Sequence, residues 1–252
     1  MSALPAANER ARARFTEHRL AFERNEPLRS LYEEWYGRVG SHLPSHALGP
    51  VVELGSGPGL ASGFLPQMLL TDVVRAPWHH LLVAAEDLPF ASGTVGALVL
   101  FDVLHHLPSP ERFFREAMRA LAPGGRIVVC DPYISPVSYP VFGWLHEEGF
   151  DFSVDPFSPT WPAGKDPFAG NQAVATQLFF RKWGAFEEKF PALRLVTRER
   201  FAGLSYPLAG GFGRKPFVPT RAWNLLKRAE SWLPSAAFAW TGFRTLVVLE
   251  RR

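Results

Sequence analysis

The run Val51-Val52-Glu53-Leu54, followed at once by Gly55-Ser56-Gly57-Pro58-Gly59, restricts this chain more than any other feature. A short apolar run broken by a glycine-rich turn is the pattern of a buried parallel strand whose end opens onto a ligand. Glycine lets a backbone approach a ligand closely, and such a turn offers N–H donors at a helix start. The spacing does not meet the dinucleotide pattern G-x-G-x-x-G/A, because Leu60 stands where the last glycine should be.

Further short apolar runs follow in the same rhythm. Leu69-Leu70-Thr71 reads as a second strand ending at Asp72, Leu81 to Ala84 as a third, and Ala97 to Phe101 as a fourth. Glu111 to Leu121 reads as a helix with Phe113, Phe114, Ala117, Met118 and Leu121 on one face, and Pro123-Gly124-Gly125 ends it. Arg126 to Cys130 is a fifth strand. The alternation over 50–130 predicts a parallel sheet with helices on both faces. Upstream, Ala6 to Arg24 and Pro27 to Val39 read as helices, the second with Leu28, Leu31, Trp35 and Val39 at helical spacing. Downstream, helices are expected over Asn171–Trp183 and Arg221–Trp232, with strands over Leu193–Val196 and Phe243–Leu249. Between them lie Pro132–Gly170 and Gly203–Pro219, rich in proline, glycine and aromatics.

In an open α/β sheet, ligands bind at the carboxyl ends of the strands near the switch point. Asp72, 17 residues after Gly55, stands at such an end. A carboxylate there can accept hydrogen bonds from both hydroxyls of a ribose; as a structural residue it would be a cap or a solvated loop acid. Together these blocks resemble the class I S-adenosylmethionine-dependent methyltransferases of the small-molecule type. Residues 51–59 are similar to the first motif and Asp72 to the ribose-binding acid. Ala85-Glu86-Asp87-Leu88-Pro89-Phe90 is similar to the loop bordering the adenine, and 100–107 with 115–126 to the rest of the signature.

The resemblance covers about a third of the chain, and its implications are specific. It implies a doubly wound, mostly parallel seven-stranded sheet with a last antiparallel strand and helical lid insertions. It implies S-adenosyl-L-methionine as cofactor. Glu53 would order the glycine loop, and Gly55, Ser56, Gly57 and Gly59 would shape the turn beside the methionine part. Asp72, followed by Val73, would hold the ribose. Glu86, Asp87 and Leu88 would border the adenine, and Phe101 would offer its carbonyl to the cofactor's ammonium. Two positions depart from the family. Ala84 stands where an acid often bonds the adenine amino group, so that either Glu86 or Asp87 substitutes or backbone and apolar contacts hold the ring. Gly96 stands where an acid often begins the fourth strand, a change expected to affect packing only.

Methyl transfer from a sulfonium mainly needs alignment and exclusion of water. An oxygen or nitrogen acceptor can also need a proton removed, for which histidine is the usual choice. His106 is the first candidate and His146 the second; His105 also follows the fourth strand, and Tyr133 follows the fifth. Glu147 or Glu148 could orient His146, or all three could form a solvated helix end. No metal is expected, because His79-His80, and His146 with its acids, lack recognised ligand spacing. Asp131-Pro132-Tyr133 is similar to the D-P-P-Y motif of amino-methylating DNA enzymes, but that motif follows the fourth strand.

Composition narrows the partners. Among 252 residues there is one cysteine, Cys130, which excludes an internal disulfide and a multi-cysteine metal site. No apolar run approaches the roughly 18–20 residues of a membrane span. The charged stretch from Asn8 to Arg24 has no signal-peptide core, so a cytoplasmic protein is expected. The net charge of +3 is scattered, and Glu9 and Glu17 flank and dilute Arg10, Arg12 and Arg14, which read as a solvated helix, so no nucleic-acid partner is expected. Eight tryptophans and 21 phenylalanines concentrate after Tyr133. They serve either as core packing or as the wall of an apolar acceptor pocket.

The expected organisation is one domain. Residues 1–48 would be a helical lid, 49–131 the cofactor-binding half, and 132–252 the acceptor-site half with insertions at 132–170 and 201–240. The expected acceptor is a small-molecule or lipid-like compound, with peripheral membrane contact open. The alternatives are an RNA or protein methyltransferase, or a non-catalytic S-adenosylmethionine-binding protein.

Overall fold

The computed structural model describes residues 3–44, 48–146, 148–158 and 169–252. These form a seven-stranded sheet in the order β3-β2-β1-β4-β5-β7-β6. Its strands are β1 (Val51–Leu54), β2 (Leu69–Asp72), β3 (Leu81–Leu82), β4 (Val95–Phe101), β5 (Leu121–Pro132), β6 (Leu193–Phe201) and β7 (Arg244–Arg251). The pairs from β3 across to β5 are parallel, and β7 runs antiparallel between β5 and β6. The strand order reverses between β1 and β4, and the glycine turn therefore opens at the switch point. All seven residues of β4 are buried, as a central strand covered on both faces requires.

The helices are α1 (Ala3–Arg24), α2 (Glu26–Ser41), α3 (Pro110–Ala120), α4 (Ser138–Trp144), α5 (Val174–Thr176), α6 (Trp183–Lys189), α7 (Ser205–Leu208), α8 (Thr220–Glu230) and α9 (Phe238–Thr241). One face of the sheet packs Val52, Leu98 and Ile127 against Phe113 and Phe114 of α3 and against Phe179 and Phe186. The other packs Val99 and Val128 against Leu31, Trp35 and Val39 of α2 and Trp223 of α8. Helices thus cover both faces, but β1 leads only into a short 3-10 turn at Leu60–Gly63. The N-terminal helix α2 fills the layer that a β1–β2 helix would occupy. Asn25 starts it, its side chain accepting the Leu28 N–H at 3.0 Å, with Pro27 in the first turn.

Three expected elements change shape. The third strand stops at Leu82, and Ala84 makes only an isolated bridge to Asp87. The fifth strand begins at Leu121, running through the Pro-Gly-Gly segment because Leu121 pairs with Val95. The helix expected over Asn171–Trp183 is instead α5, a π turn at Gln177–Arg181, and then α6. The wider turn lets consecutive Gln177, Leu178 and Phe179 all be buried.

Candidate active site

A cavity of ≈ 490 Å³ opens at the carboxyl edge of β1, β2 and β4, within the size range of small-molecule sites. Its floor is the glycine turn. Gly55 (φ 65°) and Gly59 (φ 69°) are left-handed, and a Cβ would lie 2.6 Å from Val103 at the first and 2.4 Å from Trp78 at the second. The turn is held from below. Trp78 Nε1 donates to the Gly57 carbonyl at 2.8 Å, and Arg19 of α1 donates to the Pro58 carbonyl at 3.0 Å while lying over the Trp78 ring. Ser56 accepts the Thr71 N–H, tying the turn to β2.

Two carboxylates face this floor. Asp72 accepts the Gly57 N–H on one oxygen and the Val74 N–H on the other, each at 2.8 Å. Burial pushes its carboxyl above the ordinary range, and those amides work against the shift. Glu53 accepts the Tyr36 hydroxyl at 2.9 Å through Oε1, while its buried Oε2 has no hydrogen-bond partner. Burial raises the Glu53 carboxyl to about 7, against the hydrogen bonds from Ser56 and Tyr36.

Next to Asp72 the wall is made by exposed Val73, by Val83, Ala84 and Ala85, and by Glu86. Glu86 Oε1 accepts the Ser109 N–H at 3.2 Å. The other two residues expected at the adenine lie elsewhere. Asp87 does not line the cavity, and Leu88 is buried in the core with its N–H given to Glu116. Gly59 shapes the turn without lining the cavity.

Beyond Glu53 the wall is aromatic. Phe101 stacks on Tyr36 with ring centroids 4.5 Å apart, and Tyr32 and Trp35 continue the surface. Arg244, at the start of β7, is buried among them, 4.4 Å from the centroid of Trp35. It donates to Asp102 at 2.6 Å, which holds it charged against its burial. Its Nε is buried without a partner. Cys130 beside it is pushed up to about 11 by burial, so it remains a thiol.

At the far end lies a polar cluster that sequence spacing did not indicate. His105 Nδ1 lies 2.9 Å from Asp131 Oδ1, and its Nε2 lies 3.3 Å from Glu148 Oε2. His106 Nε2 is 3.7 Å from the same Glu148 oxygen, and its Nδ1 is 3.3 Å from the Ala169 carbonyl. Burial works to lower the His105 pKa, but the Asp131 and Glu148 carboxylates carry it up to about 10. Burial works to raise Glu148, but the hydrogen bond from His105 and the charges of His106 and His105 hold it at about 2. His105, clamped between two carboxylates, is therefore an imidazolium in this arrangement rather than a base.

His106 lines the cavity, and His146 lines it from an exposed position, its Nδ1 against the Glu148 backbone. Glu148 turns to His105 and His106 instead of orienting His146 through its carboxylate; Glu147 lies outside the described residues, as does 159–168 of the insertion. Tyr133 does not line the cavity, because its ring packs on Phe180 and under Arg200. Arg244 and Asp131 were missed. Their one local signal is a charge at the end of an otherwise apolar strand.

Comparison with known proteins agrees with this architecture. Residues 52–129 match a family model described as a methyltransferase domain. A chain of the Haloferax volcanii complex between the Trm112 methyltransferase activator and a candidate methyltransferase superposes with TM-score 0.50 at 15% identity, covering 93% of this chain and 92% of that one. A candidate methyltransferase from Bacillus halodurans superposes at 0.46 and 15% identity, covering 85% and 97%. Geranyl diphosphate C-methyltransferase from Streptomyces coelicolor does so at 0.47 and 14%, covering 93% and 84%. No curated protein matches the chain by sequence. Residues 52–129 are therefore a methyltransferase domain, for which S-adenosylmethionine is the methyl donor. Among the described residues no helix is long and apolar enough to cross a membrane.

Proposed function

We propose that this methyltransferase acts on a small-molecule or lipid-like acceptor enclosed in the aromatic part of the cavity. The observation that carries the reading is one continuous cavity with the glycine turn, Glu53 and Asp72 at one end and His105, His106 and Glu148 at the other. An aromatic wall suits an apolar acceptor better than a nucleic-acid strand, whose backbone calls for a basic face. It also attracts positive charge.

The residues present fit the cofactor. S-adenosylmethionine supplies a methyl group already activated on a sulfonium. Asp72 accepts the Gly57 N–H on one oxygen and the Val74 N–H on the other, and a carboxylate has further lone pairs to offer the ribose hydroxyls. Glu53 lines the cavity and has one carboxylate oxygen without a partner, so its carboxylate can accept a hydrogen bond from the ammonium with the Phe101 carbonyl. Glu86 takes the place of the acid missing at Ala84, because Glu86 lines the cavity and Asp87 does not. The aromatic wall excludes water and aligns the acceptor. The acceptor's polar group then meets His106 and Glu148, where its proton is handled.

The test is incubation of the purified chain with methyl-labelled cofactor and fractionated cell extract, followed by mass spectrometry. Label is expected in small molecules or lipids. His106→Ala should cut that turnover by about 10²-fold or more while cofactor affinity stays within about threefold. Label found only in RNA or protein would overturn the reading.

A further inference from the structure

We propose that His105, His106 and Glu148 form a binding site for a divalent transition-metal ion at the acceptor end of the cavity. Their ligand-capable atoms all lie within 4.8 Å of one another. Glu148 Oε2 is 3.3 Å from His105 Nε2 and 3.7 Å from His106 Nε2. Ligands about 2.0–2.1 Å from a tetrahedral ion stand roughly 3.3 Å apart, so these spacings are close to a coordination shell.

The surroundings fit the same purpose. Each histidine directs Nδ1 to an acceptor, His105 to the Asp131 carboxylate at 2.9 Å and His106 to the Ala169 carbonyl at 3.3 Å. With Nδ1 held by these acceptors, an incoming ion would displace the Nε2 proton of the His105 imidazolium and take up the Nε2 lone pair beside Glu148, the outer-shell arrangement by which proteins set metal-binding imidazoles. Glu148 is itself positioned by Gln172, whose Nε2 donates to Oε2 at 2.8 Å and whose Oε1 is buried without a partner. The chain closes tightly over the cluster at Gly170, where a Cβ would lie 2.8 Å from the His105 ring and 3.0 Å from Glu148 Oε2.

The donor set selects the ion. Two imidazoles and one carboxylate suit zinc, iron or another first-row transition ion, whereas magnesium and calcium prefer all-oxygen shells. Three protein ligands leave coordination positions open, as in sites that bind substrate. All three residues line the cavity, so those positions face the acceptor. The acceptor class this site would take is a small molecule whose methylated oxygen or nitrogen coordinates the ion. The site stands on its own geometry; its part in acceptor binding rests on the proposed function above.

Full-length protein stripped by a chelator would be titrated with Co²⁺ and followed by its visible absorption, with Zn²⁺ as competitor. S-adenosylmethionine binding would be measured in parallel by calorimetry. We expect one Co²⁺ per chain, displaced by Zn²⁺. Affinity should fall at least tenfold in Glu148→Gln and in His106→Ala, and should be unchanged in the control His42→Ala. Circular dichroism and cofactor affinity establish that each variant is folded, and the wild-type stoichiometry needs no variant. Absence of stoichiometric Co²⁺ in the wild type, or equal binding by Glu148→Gln, overturns the site. Metal binding without cofactor binding would instead sink the reading of the cofactor end and leave the metal site standing.

Discussion

Asp72 meets two backbone amides in the resting structure, and its removal tests the cofactor end directly. Asp72→Ala should weaken S-adenosylmethionine and its demethylated product alike by about 1.5–3 kcal/mol in calorimetry, as for a lost charge-assisted hydrogen bond. In the same assay Glu86→Ala should lose affinity while Asp87→Ala stays near wild type; equal, negligible losses would assign the adenine to backbone and packing. Tight NADH binding without sulfonium binding would overturn the whole set. Glu53 gives a pH signature. A carboxyl whose folded pKa is raised contributes stability fully below about 4.5, and that contribution is lost as pH rises through about 7. Across that window the stability gap between wild type and Glu53→Gln should shift against the wild type by on the order of 3 kcal/mol. Urea denaturation at several pH values measures it, and parallel profiles would refute the buried, strained carboxyl. The residues behind these predictions were legible because they lie within a few positions of a strand end in the sequence. The partners at the other end were not. His105 meets Asp131 across 26 positions, and Arg244 reaches Asp102 across 142, contacts created by strand pairing and not by local spacing.

At the scale of elements, the strands were legible and their connections were not. Apolar runs specify buried strands wherever they pair, so β1, β2 and β4 stand within a residue or two of their expected places. The helix after the glycine turn is reduced to a 3-10 turn because α2 already fills that layer, and no local pattern reports a layer being filled from elsewhere. Gly96 shows the same dependence in one residue. It was expected to matter for packing, and a Cβ there would lie 2.7 Å from the Gly49 carbonyl, at the register shift where β4 joins β5. Gly96→Ala should therefore destabilise the fold by about 1–3 kcal/mol through overpacking. Gly63→Ala, where a Cβ meets nothing within 4 Å, should stay within about 0.5 kcal/mol. Urea midpoints at unchanged slope compare the two, and equal effects would show that β4 and Gly49 are not in rigid contact.

For the whole molecule, the N-terminal segment expected to act as one lid divides into two parts with different mechanical roles. In α2, Leu31, Trp35 and Val39 are at most 1% exposed and form one side of the main core, so α2 opens only with the fold itself. Among the described residues of α1 only Phe22, near its end, packs into that core against Tyr32 and Phe64, and His18 stacks on Phe212; ahead of these, Ala11 and Phe15 pack on Val74 and Ala76, and Arg19 reaches the Pro58 carbonyl and the Trp78 ring. The contacts of Ala11, Phe15 and Arg19 fall on the glycine turn and the segment after Asp72, the two places proposed to hold the cofactor. A ligand that orders this floor removes part of the cost of docking α1, and a docked α1 in turn covers the ligand from water. We therefore expect hydrogen exchange across 8–24 to slow when S-adenosylmethionine is added, while α2 changes little because it is already protected. Slowing in 138–150 would extend the cover to the acceptor side, where His146 and Glu148 line the cavity. Exchange in α1 that is the same with and without cofactor would reject its role as a lid and leave it a fixed brace of the turn.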